Sequence, residues 1–155
     1  MENWKTEAQE MCDAGHRSFL FLCVANSARS QLGEGVARYL ASKLPASKRQ
    51  EYTFYSAGSE PTQVRPEARM ALAEWDIDTS GHFSKNVSEI DPAKVDVVIT
   101  LCAEEECPVF LGDAVRVHWP LPDPASDEGT VEGRVPAFRD VRDELQKRLK
   151  VVLGQ

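Results

Sequence analysis

Two runs of the chain, Ser18 to Cys23 and Val95 to Leu101, are almost unbroken apolar sequence. Each is too short for a surface helix and lacks the alternation of a half-exposed strand. Each therefore predicts a central strand covered on both faces. Tyr52 to Tyr55, closed by Ser56, Ala57 and Gly58, predicts a shorter strand, and Ala114 to Trp119 a fourth nearer the sheet edge. Between these runs the period changes. From Ser30, apolar residues at Leu32, Val36, Tyr39, Leu40 and Leu44 form a one-sided helical stripe that Pro45 ends. Pro66 suits the first turn of a second helix, with Ala68, Ala71, Leu72 and Trp75 facing inward. A short helical piece is expected near Val87 to Ile90. A last helix carries Val135, Phe138, Val141, Leu145, Leu149 and Val152 on one face. Lys43 to Gln50, Asp76 to Lys85 and Pro120 to Pro136 read as loops, and Met1 to Arg17 as a polar extension, mobile or briefly helical.

Strands alternating with helices predict an α/β domain, a four-stranded parallel sheet with helices on both faces. The expected division is an extension at 1–17 and one catalytic domain at 18–155. Ligands of such sheets bind beyond the carboxyl ends of the strands. Cys23, Cys102 and the loop after Trp119 all fall there.

Composition narrows the function. With 155 residues, 42% of them hydrophobic, the chain suits one core. A formal net charge of -7 weighs against nucleic acid and against an anionic membrane surface as partners. No apolar run approaches the roughly 20 residues that span a bilayer. The first 16 residues lack the apolar centre of a signal peptide, so the cytoplasm is the expected location. The four cysteines, Cys12, Cys23, Cys102 and Cys107, then suggest metal or redox chemistry rather than structural disulfides.

Cys23-Val24-Ala25-Asn26-Ser27-Ala28-Arg29-Ser30 places five residues between a cysteine and an arginine, after a strand and before a helix. Backbone N–H groups of such a loop, with the helix start behind them, cradle a tetrahedral oxyanion. Arg29 can fork around its oxygens. The same positive surroundings favour the thiolate of Cys23, a candidate nucleophile. Ser30 is placed to hydrogen-bond the sulfur, and Asn26 to brace the loop.

The loop and its continuation to Gly35 resemble those of low-molecular-weight tyrosine phosphatases and of the arsenate reductases built on the same fold. Tyr55 to Gly58, Asp76 to Ser80 with His82, Leu101-Cys102, Cys107-Pro108 and His118-Trp119 resemble the thioredoxin-coupled reductase branch. The likeness runs from about Phe19 to Leu149. It implies a low-molecular-weight phosphatase-like fold and arsenate as substrate, with phosphate or sulfate as mimics. It also implies a role in arsenical detoxification, no tightly bound cofactor, reducing equivalents from thioredoxin, and a monomer. The alternative is a phosphatase acting on phosphotyrosine or a small phosphoester.

By their residues alone, Cys102 and Cys107 could be a redox pair, two buried thiols or, with His118, part of a zinc site. The resemblance assigns them a relay. Cys23 attacks arsenate, Cys102 attacks the adduct and releases arsenite, and Cys107 resolves the disulfide and presents it to the reductant. The Cys102–Cys107 spacing is shorter than the family's, which leaves a glutaredoxin or a small thiol open beside thioredoxin. Asp123-Pro124 resembles the family's general acid. Some members bind potassium beside the loop. Asn26, Glu34 and Ser56 match three of its ligand positions, but Lys85 stands where the fourth is aspartate, so a potassium site is expected to be absent. His82 and His118 are expected to be structural hydrogen-bonding residues, and Trp75 and Trp119 core aromatics.

Overall fold

The computed structural model describes residues 3–155 except 50, 104–109, 111 and 126–128, together with all described side chains but that of residue 49. Strands β1 (Ser18–Leu22), β2 (Thr53–Ala57), β3 (Val97–Thr100) and β4 (Val115–His118) form one parallel sheet in the order β2-β1-β3-β4. The apolar run at Ser18 thus becomes an inner strand. In register, Leu22 stands beside Ala57 on one side and Thr100 on the other. The carboxyl ends of three strands therefore meet at one place.

Among the described residues five helices accompany the sheet: α1 (Asn3–Ala14), α2 (Arg29–Ser42), α3 (Ala46–Arg49), α4 (Pro66–Ala73) and α5 (Val131–Val152). The pleat splits the strand side chains between two cores. Phe19, Phe21, Phe54, Val97, Ile99 and Val117 pack with residues of α1, α2, α4 and α5. Leu20, Leu22, Ala57 and Val98 pack on the other face with Ile90, Val95 and Phe110. That face is covered by 3-10 turns at Val87–Glu89 and Pro92–Lys94 and by Phe110. The expected helices on both faces are present, but unequally.

Several expectations shift. The first nine residues of α2 are buried on every side, polar Gln31 and Glu34 included, so its one-sided stripe holds only towards its C-terminus. The loop expected at Lys43 to Gln50 holds the single turn α3. Helix α5 starts five residues before the expected end of its loop at Pro136. Thr130 caps it, its hydroxyl accepting from the N–H of Gly133 at 2.9 Å. Pro136 sits in the second turn, where its missing N–H leaves one carbonyl without its helical donor. Residues 3–14 of the extension form α1, whose Trp4, Ala8 and Met11 enter the same core as Leu145 and Leu149 of α5. No described helix is long and apolar enough to cross a membrane.

Candidate active site

The anion loop begins where β1 ends. Each of its carbonyls from Val24 to Ser27 has a donor outside the loop. Glu60 N–H donates to Val24 O at 2.9 Å, Thr62 N–H to Ala25 O at 3.1 Å and Arg65 N–H to Ser27 O at 2.9 Å. Asn26 O accepts from the Gln31 amide at 3.0 Å and from the Ser84 hydroxyl. In a planar trans peptide the N–H points opposite to the carbonyl. Tying four successive carbonyls outward therefore turns the N–H groups of residues 25–28 towards the loop's centre. Helix α2 follows with Ala28 at its N-cap and no side-chain cap, so its first-turn N–H groups suit an anion.

Asn26 makes the bend possible. Its φ of 48° lies in the left-handed region that asparagine tolerates better than most residues. The side chain is fully buried and its amide donates to Ser30 Oγ at 2.7 Å, while its Oδ1 accepts from Lys85 N–H at 3.0 Å. Ser30 Oγ, already an acceptor, lies 2.9 Å from Cys23 Sγ and can direct its proton at the sulfur. Cys23 is 3% exposed and carries a free thiol. Gly58, at the end of β2, backs directly onto this bend. A Cβ there would lie 2.8 Å from the Cys23 carbonyl, 2.9 Å from Asn26 N, and closer still to the Val24 carbonyl.

Arg29 is buried, and its guanidinium donates to Leu121 O at 3.0 Å and to Leu101 O at 3.4 Å. Those carbonyls come from the segments leaving β4 and β3. Cys23, Arg29 and Asp123 line one cavity of about 390 Å³, together with Val24, Ala25, Ser27, Ala28 and Ala125. Asp123 Oδ1 accepts from Ala125 N–H at 3.0 Å, which orients the carboxyl within its loop. Cys102 lies two residues beyond β3, is 1% exposed and is disulfide-bonded. Cys107 lies outside the described residues.

Beneath the loop, Glu34 accepts from the Ser56 hydroxyl and from Arg38 at 3.1 Å. Lys85 Nζ lies 4.0 Å from Glu34 Oε1 and donates to Ser56 O at 2.9 Å and Phe83 O at 3.0 Å. Burial pushes the Lys85 pKa down, against the pull of Glu34. His82 Nδ1 lies 2.9 Å from Gln31 Oε1. The Gln31 amide donates to the Asn26 and Phe83 carbonyls, which leaves its oxygen as acceptor and assigns the His82 proton to Nδ1. Burial holds the His82 pKa below its usual value. His118 Nδ1 bonds Thr100 Oγ1 at 2.7 Å. Trp119 is buried in the core, while Trp75 is only partly covered.

Thr62 and Arg65 also line the cavity and were not singled out in the sequence. The only hint was Pro66, which directs residue 65 into an extended conformation. Arg65 has ψ 138° and lies at the N-cap of α4.

A loop with five residues between a cysteine and an arginine, at the carboxyl edge of a parallel sheet, is an arrangement of the phosphatase type. The model of the low molecular weight phosphotyrosine protein phosphatase family matches residues 18–155, and the chain belongs to that family. It lies in the arsenate reductase branch. It is 42% identical over 133 residues to an arsenate reductase of Halalkalibacterium halodurans, covering 84% of this chain and 90% of that protein. It is 37% identical to one of Oceanobacillus iheyensis, covering 84% and 91%. An arsenate reductase solved in a phosphate-binding state has 29% identity and a TM-score of 0.70, covering 89% of this chain and 97% of that one.

Proposed function

We propose that this protein reduces arsenate to arsenite by a relay of Cys23, Cys102 and Cys107, regenerated by thioredoxin. The observation that carries the reading is the common cavity of Cys23, Arg29 and Asp123, with Cys102 two residues beyond the neighbouring strand. The Cys23 thiolate attacks arsenic, and the departing oxygen leaves as water with a proton from Asp123. The Cys102 thiolate then attacks the Cys23 sulfur. An S–S bond forms, the S–As bond breaks, and its electron pair reduces As(V) to As(III), released as arsenite on protonation. Cys107 attacks Cys102, frees the Cys23 thiolate and leaves a disulfide that a thioredoxin dithiol can reduce. The relay answers an access problem, because Cys23 is 3% exposed and an external dithiol cannot approach its sulfur directly.

The Lys85 ammonium, held by Ser56 O, Phe83 O and the Glu34 carboxylate, supplies the positive charge that a potassium ion gives some relatives. Activity in sodium and potassium salts should therefore agree, and strong potassium activation would contradict this assignment.

Arsenate-dependent NADPH oxidation with thioredoxin and its reductase tests the proposal. Cys23→Ser, Cys102→Ser and Cys107→Ser should each abolish turnover, and only Cys23→Ser should also remove phosphatase activity. Persistent reduction in Cys102→Ser and Cys107→Ser would overturn the relay.

A further inference from the structure

Arg65 lines the cavity that holds Cys23 and Arg29, beside the loop that its backbone N–H braces at Ser27 O. Its side chain is 34% exposed, with Nη2 donating to Glu67 Oε2 at 2.9 Å while Nε is buried and has no hydrogen-bond partner among the described residues. Glu67 is fully buried and also accepts from Arg134 Nε at 2.7 Å. Burial opposes the Glu67 carboxylate, but hydrogen bonds from Arg134 and Arg65 outweigh it and hold its pKa below the ordinary value. The trio of Arg65, Glu67 and Arg134 thus carries a net positive charge, in a protein whose own net charge is -7. Arg134 Nη1 further donates to Gly129 O at 2.8 Å, and the Arg65 N–H is bonded to the anion loop at Ser27 O. Backbone and guanidinium are both anchored, so the charge is fixed at the cavity wall rather than free in solvent.

The chemistry of the loop says what such a charge would meet. With Cys23 at the base and attack in line, the departing oxygen points out towards the mouth. In inorganic arsenate or phosphate that oxygen bears a share of the anionic charge or a hydroxyl. In a phosphoester it bridges to an uncharged organic group. We propose that Arg65 binds this outward oxygen, and so selects free tetrahedral oxyanions over their organic esters. The assignment deepens the reductase reading and rests on it for its biological meaning, but needs only the oxyanion loop.

The test measures protection of Cys23 from alkylation by iodoacetamide in the full-length reduced protein. Inorganic phosphate and phenylphosphonate are the two competing ligands, and alkylated Cys23 is quantified by peptide mass. A charge-assisted hydrogen bond predicts that Arg65→Ala weakens protection by phosphate about tenfold or more, and protection by phenylphosphonate less than about threefold. Arg65→Lys should recover part of the phosphate effect. Arg134→Ala removes the other partner of Glu67 but keeps the Arg65 guanidinium, the group assigned to the ligand, and should leave the ratio of the two ligands unchanged. Equal weakening of both ligands by Arg65→Ala, no weakening of either, or the same selective loss in Arg134→Ala would each overturn the proposal. Because protection needs no turnover, failure of arsenate reduction in the coupled assay would be a separate result.

Discussion

Replacing Gly58 by alanine puts a single methyl group against the back of the anion loop. The added carbon would stand 2.8 Å from the Cys23 carbonyl and 2.9 Å from Asn26 N. Both are backbone atoms, so neither can swing aside as a flexible side chain could. Restoring ordinary contact needs a displacement of about 0.6 Å from the Cys23 carbonyl and more from the still closer Val24 carbonyl, and overpacking of this kind typically costs ~1–3 kcal/mol. The loop cannot yield freely, because its carbonyls are tied to residues 60, 62 and 65 and Asn26 to Ser30 and Lys85. The strain therefore falls on the spacing between the sulfur and the oxyanion cradle, where a 1 Å misplacement can cost about 100-fold in rate. Gly58→Ala should lower kcat/KM for arsenate by roughly 10- to 100-fold, with a Tm loss of only a few degrees. The thioredoxin-coupled assay gives the first quantity and thermal denaturation the second. A folded Gly58→Ala protein with more than half of wild-type activity would refute the reasoning.

Three further outcomes follow from the same geometry. Ser30→Ala removes a hydrogen bond aimed at the Cys23 sulfur and should lower kcat/KM about tenfold or more, given ~1.5–3 kcal/mol for a bond to a charged group; wild-type kinetics would exclude the bond. His82, its pKa depressed by burial, binds protons more readily unfolded than folded, so its contribution is full above about pH 6.5 and is lost as pH falls from there through the folded value. Urea midpoints measured across that window should rise with pH, and less so in His82→Gln. Trp4→Ala should cost ~3–5 kcal/mol by chemical denaturation, because Trp4 is 7% exposed in the core beneath α5; an unchanged midpoint would make α1 a dispensable appendage.

What could be read from the chain alone divides along physical lines. The two apolar runs fixed the inner strands because a strand buried on both faces has no alternation to imitate a helix. Cys23, Asn26, Arg29 and Ser30 lie close in sequence, so their spacing predicted the contact of Ser30 with the Cys23 sulfur and a bracing role for Asn26, whose partner Ser30 is identified only in the folded chain. Lys85 came from comparison with a family pattern, and its contacts with Ser56 and Phe83 could be assigned only in the folded chain. Arg65 and Gly58 were not legible as site residues, because their importance arises where separate segments close on the loop. Gln31 lies outside the apolar stripe of α2, yet it is buried and braces the loop at the Asn26 carbonyl. The start of α5 was hidden by Pro136, whose usual message is to end a helix rather than sit in its second turn. In α1 the apolar stripe is only Trp4, Ala8 and Met11, too sparse to separate a docked helix from a mobile extension.

The central claim is that oxidation passes from Cys23 to Cys102 and Cys107, and one measurement reaches it directly. The fully reduced protein is given one equivalent of arsenate without thioredoxin, quenched with an alkylating agent and mapped by peptide mass. The expected products are a Cys102–Cys107 disulfide, an alkylated Cys23 and one equivalent of arsenite. Cys23 left in a stable disulfide, or arsenite formed with Cys102 and Cys107 both alkylated, would contradict it.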